Sequence, residues 1–186
     1  ALEVPGLIIR RGFEFGMLPD NMAQFREDVS RRDWDFVIGS VHFVDGLDVY
    51  FDTYWEGKTP YQAILHGFEE TLTCVRNHED FDVLGHLTYL GKCKANPEKV
   101  PILYKDYWEV TDEIFKILIE KGKGIECNTS GLERCGAFLP DERFLRRFKE
   151  LGGQIVTVGS DAHHANRVGQ YCREAEELVR EIFGYV

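Results

Sequence analysis

Residues 154–163, QIVTVGSDAH, run from an apolar, β-branched stretch into a glycine, a serine and an Asp-x-His pair. A short apolar run bounded by turn residues reads as a strand buried on both faces, so 154–160 is expected to be a strand of a parallel sheet. Four more runs share the design: LIIRRGFEF (7–15), WDFVIGSVHF (34–43), FDVLGHL (81–87) and KGIECN (123–128). Between and after them, stretches at 21–32, 61–79, 104–122, 141–152 and 173–184 carry apolar residues three and four apart, the spacing of an amphipathic helix. Asp20 is placed to cap the first helix, Thr59-Pro60 puts a proline at the start of the second, and Pro140-Asp141 opens the fourth. Five strands alternating with five helices are a series of βα units, so the fold class is α/β with a mainly parallel sheet. Such units form either an open doubly wound sheet or a barrel, and a full barrel takes seven or eight units and about 250 residues. This chain of 186 residues supplies about five units, and pattern alone leaves both arrangements open.

The surrounding composition fits an ordinary globular domain, with 44% hydrophobic and 29% charged residues. No linker or low-complexity tract divides it, so a single domain over 1–186 is expected. No apolar run approaches the ~20 residues of a membrane-spanning helix, and the first residues lack the order of a signal peptide. Lys and Arg number 22 against 32 Asp and Glu, a net charge of -10 that would repel a phosphate backbone and speaks against a nucleic-acid partner. Cys74, Cys93, Cys127, Cys135 and Cys172 form no CxxC pair and read as reduced thiols, which places the protein in the cytoplasm.

In both arrangements of βα units the ligand site lies at the carboxyl ends of the strands. Glu14, His42, His86, Asp161 and His163 each fall there. Any one of them alone reads as well as a hydrogen-bonded structural residue; their convergence on one rim is what points to a metal. Asp161 and His163 are two apart, so in an extended chain both side chains point the same way. Three histidines and two carboxylates, with no cysteine, suit Zn²⁺, Mn²⁺ or Fe²⁺. Glu126 and Asn128 share a face of the fourth strand, either at the site or as a satisfied interior pair. His66 and His78 lie on or beside a helix, where packing or solvated roles are expected.

The strings DFVIGSVHFVDG (35–46), FDVLGHLTYL (81–90), GIECNTSGL (124–132) and IVTVGSDAHHANRVG (155–169) resemble, in order, the histidinol-phosphatase branch of the PHP (polymerase and histidinol phosphatase) family. The resemblance implies a distorted (β/α)7, TIM-like barrel with two or three divalent metal ions at the strand ends. It implies hydrolysis of L-histidinol phosphate to L-histidinol and phosphate, in histidine biosynthesis, by a metal-bridging hydroxide. Glu14 matches the bridging carboxylate of the family, His42 the histidine of GSVH, His86 that of the GH motif, and Asp161 with His163 the catalytic pair of GSDAH. Lys92 stands where the family usually has Arg, and Thr88 where it has an acid. Arg134 lies one place later than the usual basic residue. Lys92, Asn128 and Arg134 are the candidate substrate contacts. The HxH motif of the family's first strand has no counterpart here, so the chain is expected to correspond to the C-terminal portion of such an enzyme. A PHP hydrolase of another phosphoester and a non-catalytic metal-binding remnant are the alternatives.

Overall fold

The computed structural model describes residues 5–99 and 101–185, so the ends of the expected 1–186 domain lie outside the described residues. Strand β1 (Gly12–Gly16) leads through helix α1 (Met22–Ser30) to β2 (Phe36–Ser40). A small hairpin follows, β3 (Phe43–Val44) and β4 (Leu47–Asp48), then a single turn α2 (Asp52–Trp55) and the long α3 (Pro60–Asn77). Strand β5 (Val83–Leu84), α4 (Tyr104–Glu120), β6 (Gly124–Asn128), the short α5 (Leu132–Cys135), α6 (Glu142–Glu150), β7 (Val156–Gly159) and α7 (Cys172–Phe183) complete the chain. Five strands form one parallel sheet in the order β1-β2-β5-β6-β7, which is also their order along the chain. That is the arrangement expected of successive βα units. Among the described residues β1 and β7 each pair on one side only, so the sheet is open there.

Alternation along the strands separates two faces. Val37, Leu84, Ile125 and Cys127 join the helices' Phe25, Phe68, Phe115, Phe144, Phe148 and Val179 in one buried cluster. Truncating a fully buried ring of this set, as in Phe148→Ala, costs about 3–5 kcal/mol. The opposite face carries Glu14, Ile38, Ser40, Glu126 and Asn128, with glycines where neighbouring side chains need room. A Cβ on Gly85 would collide with Ser40 and Ile38.

The strands are shorter than the apolar runs. The first begins at Gly12, not Leu7, and Leu7, Ile8 and Ile9 stay exposed. The Asp35 carboxylate accepts from Arg11 N at 2.8 Å, taking the place of a ladder partner and ending the pairing there. The Asp82 carboxylate does the same for Val37 N at 2.7 Å, which leaves β5 only two residues long. Helix starts follow local chemistry. Thr59 and Gln62 form a reciprocal capping box, and Asp141 accepts from Arg143 N and Phe144 N. Asp20 does not cap α1; Asn21 takes the N-cap place and its side chain accepts from Leu18 N. The hairpin was not expected. Asp45 and Gly46 both have positive φ, 51° and 73°, as a two-residue type I′ turn requires.

Candidate functional site

A cavity of about 730 Å³ opens at the carboxyl ends of the strands. Glu14, His42, His86, Lys92, Arg134, Asp161 and His163 all line it. Seven of the eight expected site residues therefore share one wall-to-wall space. The eighth, Asn128, is fully buried, and its amide is spent on Glu126 and Ser130. It supports the rim from below and is not placed to touch a ligand in the cavity.

Glu14, at the middle of β1, meets two histidines from the neighbouring strand ends. Its Oε1 accepts from Ser40 Oγ at 2.7 Å and lies 3.0 Å from His86 Nε2 and 3.7 Å from His42 Nε2. The two Nε2 atoms are 3.1 Å apart. Four ligands at 2.0–2.1 Å in a tetrahedron stand about 3.3 Å from one another, so these three atoms have the spacing that Zn²⁺ or a similar ion demands. Among the described residues this is the group of three donors that could hold an ion. The hydrogen bond with His86 holds the Glu14 carboxyl down at about 2, against the opposing effect of burial. Burial, with the His86 charge beside it, brings His42 down to about 4, so its ring is neutral at neutral pH with a lone pair to offer.

Asp161 and His163 are differently placed. Strand β7 ends at Gly159, and Asp161 has a positive φ of 49°, so the chain is not extended through the pair as the i, i+2 reading supposed. A non-glycine residue in this region stores strain that its surroundings must hold. Lys92 provides that hold, with Nζ 2.6 Å from Asp161 Oδ2. Burial raises the Asp161 carboxyl, and Lys92 outweighs it, leaving the group below the ordinary carboxylate range. The His163 side chain is 80% exposed, and its Nδ1 lies 2.9 Å from Asp161 O and 3.6 Å from Asp161 Oδ1. It stands at the mouth of the cavity, apart from the three-atom cluster.

Arg134 Nη1 donates to Tyr50 Oη at 3.0 Å and so reaches from the turn after β6 to the hairpin side. Asp48 and Tyr50 on that side, and Arg167 on the loop after β7, also line the cavity and were not foreseen. The Asp45-Gly46 dipeptide between apolar neighbours is the signal that could have found the hairpin. Arg167 is fastened by Glu133, which accepts from it at 2.7 Å and from Gln170 at 2.7 Å.

Residues 2–130 match the family model described as the PHP domain. The chain belongs to the PHP family. Its relatives within PHP include a Clostridium acetobutylicum protein named "probable histidinol-phosphatase", 32% identical over 90% of this chain. The histidinol-phosphatase of Lactococcus lactis is 29% identical over 93% of this chain. The chain spans 65% and 64% of those two proteins' own lengths. The crystal structure of a Lactococcus lactis histidinol phosphate phosphatase, complexed with zinc, L-histidinol and phosphate, superposes with a TM-score of 0.85 at 26% identity. That superposition covers 98% of this chain and 69% of the other. The open parallel sheet is thus a PHP sheet, and the α/β class with parallel strands read from the βα series holds; the five described strands do not close into a barrel among the described residues.

Proposed function

We propose that this PHP chain is a metal-dependent phosphomonoesterase that hydrolyses L-histidinol phosphate to L-histidinol and phosphate, a step of histidine biosynthesis. The observation that carries this reading is the convergence of Glu14 Oε1, His42 Nε2 and His86 Nε2 within 4.8 Å at the floor of a cavity that also holds Lys92. Relatives bearing the histidinol-phosphatase name support the substrate.

Glu14, His42 and His86 would hold one divalent ion, Zn²⁺, Mn²⁺ or Fe²⁺, and Asp161 with His163 would contribute to a second or third. Such ions, when bound, supply Lewis acidity and lower the pKa of water towards neutrality. The chain's own groups do the rest. Lys92 has three protons; two go to Asp161 and Ser130, and the third is left for a phosphoryl oxygen. Arg134 adds a second cation to the cavity wall, so a phosphate dianion meets positive charge in a protein of net charge -10. Cleavage adds water across the P–O bond: the hydroxyl oxygen joins phosphorus, and the proton leaves with the alcohol. The substrate is a small phosphate ester, and the acidic balance disfavours nucleic acid. No described helix is long and apolar enough to cross a membrane, and the five cysteines are free thiols, which fits the cytoplasm.

The test is phosphate release from L-histidinol phosphate by the protein with Zn²⁺ or Mn²⁺, beside a chelated control and His86→Ala. Metal-dependent release lost in the variant is expected. Preference for an unrelated phosphate ester would contradict the substrate, and release that survives chelation would contradict the metal.

A further inference from the structure

Strand β6 contributes no candidate metal ligand, yet it lies between β5 and β7, whose ends carry His86 and Asp161. Its inward side chains are joined in an unbroken series. Lys92 Nζ donates to Asp161 Oδ2 and to Ser130 Oγ, each at 2.6 Å. Ser130 Oγ gives its one proton to Asn128 Oδ1 at 2.5 Å, where Asp161 Oδ2 is farther, at 3.3 Å. Asn128 Nδ2 donates to Glu126 Oε2 at 3.1 Å, and the same oxygen accepts from His86 N at 2.9 Å. The series therefore starts at one proposed ligand and ends on the backbone of another.

The β6 end of the series is buried, while Ser130 and Lys92 border the cavity. Glu126 is 4% exposed, Asn128 0%, and the Lys92 side chain 9%. A carboxylate buried this deeply is costly unless its oxygens are hydrogen-bonded, and the partners found for Oε2 belong to the ladder or to His86. Burial accordingly raises the Glu126 carboxyl above its ordinary value. Gly159 makes room for it, because a Cβ there would collide with Glu126 Oε1. At the other end, occupying Asp161 Oδ2 leaves Oδ1 without a hydrogen-bond partner among the described residues, as a single-oxygen ligand would be.

We propose that Glu126, Asn128 and Ser130 are positioning residues which, through Lys92, fix His86 and Asp161 in one geometry for metal. This rests on the reading of those residues as metal ligands. Groups behind metal ligands set the ligands' orientation, and their removal costs about 10–100-fold in metal affinity. Ser130 is the place to cut, being at the cavity edge with a side chain small enough to remove without opening the core.

The experiment is a Zn²⁺ titration of the wild-type chain, Ser130→Ala and Ser130→Thr by calorimetry, with thermal melting of each metal-free protein. Ser130→Ala is expected to bind Zn²⁺ about 10–100-fold more weakly. Ser130→Thr, which keeps the hydroxyl, is expected to recover most of that loss. The metal-free melting temperature of either should fall by no more than about 4 °C, the scale of one hydrogen bond in a domain of this size. Equal Zn²⁺ affinity in wild type and Ser130→Ala would overturn the proposal while leaving the metal reading standing. A wild-type chain that binds no Zn²⁺ would overturn the metal reading and this proposal with it.

Discussion

The two sides of the cavity rim differ in how they hold their candidate ligands. Glu14 comes from the middle of β1 and His42 and His86 from just past the ends of β2 and β5, and sheet register brings their donor atoms to within 3.0–3.7 Å of one another. Asp161 and His163 lie past the end of β7, one held by Lys92 and the other largely in solvent. The first side is a site made by the sheet. The second is a loop that depends on side-chain partners. A rim built this way would separate affinity from adaptability: on the proposed reading the sheet would fix one ion, and the loop would adjust around a second ion or the substrate.

Substitutions on the two sides should therefore have unequal effects. The largest is expected for His86→Ala, which removes the most buried of the three donors. Calorimetry should show Zn²⁺ affinity lost by more than the roughly 100-fold seen for groups behind a ligand. Next is Lys92→Met, which leaves Asp161 charged and unpaired in a nearly closed setting. Breaking a buried pair from one side costs about 3 kcal/mol or more, to be read by urea denaturation of the metal-free protein. Unchanged stability would mean that the loop does not depend on Lys92.

A control away from the rim sharpens the contrast. Asp112, on α4, accepts from Arg147 on α6 with its nearest approach at 2.6 Å and from Tyr104 Oη at 2.7 Å. Burial raises this carboxyl, but the Arg147 and Tyr104 hydrogen bonds outweigh it, so its folded value lies below the ordinary one. Its contribution is then fully present above the unfolded value near pH 4 and is lost as pH falls through the lower folded value. Asp112→Asn should cost about 1.5–3 kcal/mol at pH 7, a difference that shrinks in acid, and leave Zn²⁺ affinity unchanged. The smallest effect is expected for His163→Ala, with Zn²⁺ affinity reduced no more than about tenfold. A loss as great as that of His86→Ala would erase the distinction between the two sides.

The same division governs what could be read from the amino acids. The identities of the five parallel strands followed from apolar runs broken by Gly-Ser and Gly-His, because burial on both faces demands continuous hydrophobicity; their order in the sheet came only from the structure. The convergence of the candidate ligands followed from topology, since successive parallel strands put their carboxyl ends together. Features made by single side chains were not legible. Asp35 and Asp82 shorten strands by replacing ladder partners, and no periodicity reports that. The left-handed turn at Asp161 broke the alternation assumed for the pair, although a strand pattern leads directly into it. Asn128 looked like a cavity residue because it shares a face with the site; its full burial came from Ser130 and Glu126, which a one-dimensional reading cannot join to Lys92.

Glu14 of β1 and the histidines that follow β2 and β5 would together form a metal site in this PHP chain. Crystals grown or soaked with Zn²⁺, measured at the zinc absorption edge, test it most directly. An anomalous peak is expected about 2.0–2.2 Å from Glu14 Oε1, His42 Nε2 and His86 Nε2 together. Bound zinc with no peak within coordination distance of those three atoms would contradict it.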